Sequence, residues 1–146
     1  YKNKLFILLI FYDVMKIVVD TNFVLTCVKQ KIDFVNLSEE IFDEEMQFFV
    51  PEEVIKEIIM LTKRKGEKIK DKDAAKLSLK ILENLEKKGQ INRIKLENED
   101  VDSGLVNYIK MNPEDKFIVA TIDKKLKKRI NGKILVIKDK SLLSLE

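Results

Sequence analysis

From Met15 onward the sequence predicts an α/β domain on a mostly parallel sheet of about five strands, because short β-branched runs alternate with longer stretches of helical periodicity. A second observation supports the parallel arrangement: the runs are continuously apolar, as strands covered on both faces are. A third is composition, with 36% charged and 45% apolar residues in 146, enough to bury one core without disulfides or a structural metal.

Residues 16–19, 47–50, 91–96, 117–120 and 134–137 read as the strands. Asp20 or Asn22 can cap a helix after the first of them. Pro51 stands where a first helical turn accepts proline, and Val54, Ile55, Ile58 and Ile59 form an apolar stripe behind it. A long helix is predicted over 71–88, with Ala74, Ala75, Leu77, Ile81, Leu82 and Leu85 on one side and Gly89 as its stop. Leu105, Val106 and Ile109 mark a helix begun near Asp100, and Leu126 and Ile130 anchor a short basic one ending at Asn131-Gly132.

Residues 1–14 read differently. Leu5 to Tyr12 is an unbroken apolar run behind Lys2 and Lys4, too short to span a bilayer and followed by no small-residue cleavage site. The expectation is an extension outside the domain at 15–146: either a start placed too early or an apolar arm packing on a neighbour, with membrane attachment ranked below both.

Histidine is absent, which excludes Ser-His-Asp and Cys-His chemistry and imidazole metal ligands. Cys27 is the single cysteine, so no disulfide framework or thiolate zinc site exists and a cytoplasmic setting is expected. A net charge of +3 is compatible with a polyanionic partner. Catalysis must rest on carboxylates, Lys, Tyr or bound metal.

In open parallel sheets ligands bind beyond the carboxyl ends of the strands. Asp20 closes the first run and Asp123 follows the fourth, whereas Asp115 precedes its strand and belongs at the opposite edge. Glu57, flanked by Val54 and Leu61, lies at the margin of its helix's apolar face, and Glu53 points further out to water. Asp102 is carried toward the core by Leu105 and Val106. A hard cation such as Mg²⁺ or Mn²⁺ would compensate such acids, and suits phosphodiester cleavage. Each also has a plain structural reading, as helix cap for Asp20 and Asp123, dipole partner for Asp102 and solvated residue for Glu57.

The run Ile17-Val18-Val19-Asp20-Thr21-Asn22-Phe23-Val24-Leu25 resembles the opening of a PIN domain. Val50-Pro51-Glu52-Glu53-Val54-Ile55-Lys56-Glu57-Ile58 resembles that family's acid-bearing helix, Val101-Asp102-Ser103-Gly104-Leu105-Val106 the segment supplying a third acid, and Phe117-Ile118-Val119-Ala120-Thr121-Ile122-Asp123-Lys124-Lys125-Leu126 the strand and turn that complete the site. The resemblance implies a three-layer α/β/α sandwich and a Mg²⁺- or Mn²⁺-dependent endoribonuclease acting through Asp20, Glu57, Asp102 and Asp123, supported by Thr21, Asn22, Ser103 and Thr121. It resembles archaeal rRNA-processing types more than compact VapC toxins, so the implied partners are RNA, a ribosome-assembly factor or an antitoxin, and a second copy in a homodimer. Two positions depart from the pattern: Ser103 replaces a frequent second Asp, and Ile122 a frequent Asn. They motivate the alternative of a weakened module that binds RNA or protein without cutting.

Rival families fit less well. A haloacid-dehalogenase-like phosphatase needs an Asp where Asn22 stands, and a receiver domain needs paired acids at the first strand and a phosphoacceptor Asp at a middle one. Gly66, Gly89, Gly104 and Gly132 stand alone and make no phosphate-binding loop. Of two basic clusters, 63–72 and 124–129, the second begins beside Asp123, and Lys124, Lys125 and Lys128 are its candidate RNA contacts. Phe48, Phe49, Phe117 and Tyr108 are expected in the core.

Overall fold

A computed structural model describes residues 14–98, 100–139 and 142–146. The expectation of an apolar extension over residues 1–14 thus lies, but for Val14, outside the described residues. Along the chain come β1 (Met15–Val19), α1 (Thr21–Lys29), α2 (Phe34–Phe42), β2 (Met46–Pro51), α3 (Glu52–Lys63), α4 (Ile69–Lys87), β3 (Ile91–Ile94), α5 (Val101–Met111), a 3₁₀ turn (Pro113–Asp115), β4 (Ile118–Ala120), α6 (Lys124–Arg129), β5 (Ile134–Lys138) and β6 (Leu142–Leu145).

The sheet has six strands in the order β3-β2-β1-β4-β5-β6, all neighbours parallel except the β5–β6 pair. The predicted class holds, but the count of about five omitted β6. Its four residues, Leu-Leu-Ser-Leu, are too few to show a period, and they pair antiparallel with β5 from Leu135↔Leu145 to Lys138↔Leu142. The third strand ends at Ile94, two residues short of the predicted limit, and α4 begins at Ile69 instead of 71. Pro51 closes β2 in extended conformation and stands at the N-cap position of α3, one residue before its first turn, without a capping hydrogen bond.

The strands are buried on both faces because consecutive side chains point to opposite layers. Phe48 packs edge-on against Phe34 of α2, with ring centroids 5.3 Å apart, and Phe34 in turn meets Phe23 of α1. Its neighbour Phe49 points the other way, to Phe117, which contacts Tyr108 of α5. The four aromatics predicted for the core do face it. α1, α3 and α4 pack on one another in the first layer. The result is the three-layer α/β/α sandwich.

Strand order reverses between the parallel neighbours β1 and β4: β2 and β3 continue to one side of β1, β5 to the other side of β4. Loops leaving the carboxyl ends of these two central strands diverge and leave a crevice between them. Asp20 N still donates to Ala120 O at 2.9 Å, so the two strands remain paired up to the lip of that crevice.

Candidate active site

Asp20 leaves β1 in extended conformation and caps α1, its Oδ1 accepting from Thr21 N at 2.8 Å. Its Oδ2 accepts from Thr121 Oγ1 at 2.9 Å, across from the end of β4. The carboxyl is buried, and that burial pushes it up to about 6, opposed by the two hydrogen bonds and aided by Asp102 and Glu57. One oxygen thus serves the helix as its cap and the other is held by the β4 loop.

Glu57 stands in the second turn of α3 and accepts from Thr21 Oγ1 at 3.3 Å. Burial raises its carboxyl, with Asp102 and Asp100 adding to the rise. Glu53, one turn earlier, does not point out to water as expected: it is half-buried, and its Oε1 accepts from Leu96 N at 3.1 Å and ties α3 to the chain beyond β3. Asp102 lies in the first turn of α5, raised by burial and by the neighbouring Asp123 and Asp100. Asp123 follows β4 by three residues and caps α6, accepting from Lys125 N at 2.8 Å. Thr121 Oγ1 accepts from Asp123 N at 3.1 Å, so this one hydroxyl positions both Asp20 and Asp123.

All four acids line one crevice of about 330 Å³, together with Thr21, Asn22, Asp100 and Val101. Asp100 is the acid that sequence reasoning placed only as a helix start. It caps α5 through Ser103 N, and its signal was the Asp-Val-Asp spacing with Asp102, which sets two carboxylates at one helix end. Ser103 is not in the lining; its hydroxyl donates to Asp100 Oδ2 at 2.6 Å. Ile122 is exposed and contributes no polar atom. Lys124, Lys125 and Lys128 are exposed on α6. Asp115 lies at the far edge of the sheet as expected, paired with Lys16 at 2.6 Å. A larger cavity of about 950 Å³ also lies at that far edge, bounded by Lys16, Phe117 and Asn131, on the side where strands begin.

Five carboxylates around one crevice repel one another, and three of them are held above the ordinary carboxylate range. Among the described residues no three such side chains converge tightly enough to hold an ion as they stand. The donor set is nonetheless all oxygen and anionic, the chemistry that a hard divalent cation takes.

An α/β sandwich with an acidic crevice at its topological switch point defines the class. The chain belongs to the PIN-like domain family, whose model matches residues 17–140. Its fold is similar to that of the PIN domain endonuclease Utp24, with 23% identity over 90% of each chain and a TM-score of 0.70. A lesser likeness, with a TM-score of 0.49 and 14% identity over 84% of this chain and 98% of the other, is to VapBC2 from Rickettsia felis bound to a DNA fragment from their promoter. No curated protein matches by sequence. Among the described residues no helix is long and apolar enough to cross a membrane.

Proposed function

We propose that this protein is a divalent-metal-dependent endoribonuclease in which Asp20, Glu57, Asp102 and Asp123 hold Mg²⁺ or Mn²⁺. One observation carries the reading: acids from four separate segments line a single crevice without a lysine or arginine among its lining residues, leaving their repulsion for a cation to relieve. The ion would supply a hydroxide nucleophile from water and stabilise charge on the phosphate.

The chain's own residues do the rest. Thr21 N and Thr121 Oγ1 fix the Asp20 carboxyl with one oxygen on each bond, and Thr21 Oγ1 orients Glu57. Lys124, Lys125 and Lys128 offer exposed cations beside Asp123 for the RNA backbone. Asp100 supports full activity despite Ser103, because it adds a carboxylate to the crevice that a second Asp at 103 would otherwise provide.

Labelled single-stranded RNA incubated with Mn²⁺ tests this. Wild type should cut it, EDTA should abolish cutting, and Asp20→Asn should reduce it by at least about 100-fold. Intact RNA with wild type and Mn²⁺ would reject the enzyme reading and leave the binding module. The two settings implied by the family resemblance separate on expression, since a toxin arrests growth until an antitoxin is supplied and an rRNA-processing nuclease does not.

A further inference from the structure

Arg129 ends α6, the helix that Asp123 begins, and its side chain reaches α5, where Nη2 donates to Ser103 Oγ at 3.1 Å. The same Ser103 hydroxyl donates to Asp100 Oδ2 at 2.6 Å. Ser103 thus accepts from a cation and donates to an anion, and it stands between them. Ser103 follows Asp102 in α5 and bonds Asp100, two acids that line the crevice, so the guanidinium stands at the α5 edge of that crevice without lining it.

A tether between two helices needs one such bond, but a guanidinium carries five donors. Among the described residues Arg129 uses one of them, on a neutral partner, and the residue is exposed. Lys125, Lys128 and Arg129 also stand at i, i+3 and i+4, so they form a cationic stripe along α6 that ends at the bond to Ser103. A polyanion entering a crevice of five carboxylates needs a fixed cation at the rim, and a planar fork suits a phosphate better than a point charge does.

We propose that Arg129 is a substrate-binding residue whose guanidinium takes a phosphate of the RNA strand on the α5 side of the crevice, and that Ser103 is the positioning residue holding it there. The inference rests on the proposed function to the extent that the crevice takes RNA. It also gives the departure at 103 a use. A carboxylate at that position would pair with Arg129 and neutralise it, whereas a hydroxyl orients the guanidinium and leaves its charge for the substrate.

The test is binding of a short fluorescent single-stranded RNA in Ca²⁺, which fills oxygen sites, with Mn²⁺ affinity measured separately by thermal shift. Arg129→Gln should weaken RNA binding about tenfold and lower the salt slope by about 0.7, while Arg129→Lys recovers part of the loss. Mn²⁺ should bind Arg129→Gln as tightly as wild type or tighter, because a neighbouring cation has gone. Ser103→Ala should cost less, and the double variant no more than Arg129→Gln alone, since Ser103 acts through Arg129.

RNA binding by Arg129→Gln within about twofold of wild type would overturn the proposal. So would a matching loss of Mn²⁺ affinity, additive losses in the double variant, or no RNA binding by wild type. Wild type that binds RNA through Arg129 and fails to cut it would remove the nuclease reading and leave this inference standing.

Discussion

The Asp20 carboxyl accepts hydrogen bonds from Thr21 N and Thr121 Oγ1 and is still pushed up to about 6 from an ordinary 3.8, because burial outweighs both. The sign of its pH effect follows. A carboxyl raised on folding favours the native state while protonated, so stability is lost as pH rises from about 4 through about 6. In the absence of divalent ions the loss amounts to at most about 3 kcal/mol. Asp20→Asn should therefore melt several degrees higher than wild type at pH 8, and the gap should close near pH 4. A melting temperature of wild type that stays flat over that window would contradict the account. Thr121→Val keeps the shape of the side chain and removes the hydroxyl that serves Asp20 and Asp123. It should cost about 1–3 kcal/mol in denaturant unfolding and weaken Mn²⁺ binding in calorimetry.

Single residues were unevenly legible. Asp20 and Asp123 were readable because a strand end fixes where its next residues go. Helix face did not order the two acids of α3 correctly: Glu53, expected further out to water, is the less exposed of the pair and accepts from Leu96 N, whereas Glu57 is exposed and lines the crevice. The reach of Arg129 to Ser103 was not readable: its long side chain crosses between helices whose nearest ends, Met111 and Lys124, are 13 positions apart in the chain, and Ser103 carries no charge to mark it as a partner.

At the scale of elements, α5 is set by a close approach. A Cβ on Gly104 would lie 2.9 Å from Leu96 Cβ and 3.2 Å from Asn98 Cβ, so the helix packs against the segment beyond β3 at a distance only glycine permits. Gly104→Ala should lower stability by about 1–3 kcal/mol and displace Asp102, read as a lower melting temperature and weaker Mn²⁺ binding. Unchanged values for both would show that α5 shifts freely without disturbing the crevice. Periodicity identified α3, α4 and α5 because each carries an apolar stripe. It left α2 unassigned, where the polar Ser38 occupies a buried position in the stripe with Phe34 and Val35.

For the molecule as a whole, the site exists because β1 and β4 are neighbours although 98 residues separate their ends facing the chain between them. Continuous apolar runs announced a parallel sheet, but strand order is a long-range property that no local run contains. The blocks around Asp20, Glu57, Asp102 and Asp123, taken together, pointed to loops at one end of a parallel sheet, but left the order of its strands open. β6 escaped because an edge strand of four residues is specified by its partner β5 more than by itself.

The central claim is that these acids form one metal site. Crystals soaked in Mn²⁺ and measured for anomalous scattering test it most directly. The account predicts one or two peaks between Asp20, Glu57, Asp102 and Asp123. Ordered density for those side chains with no peak among them, or Mn²⁺ bound at the opposite edge of the sheet beside Asp115, would contradict it.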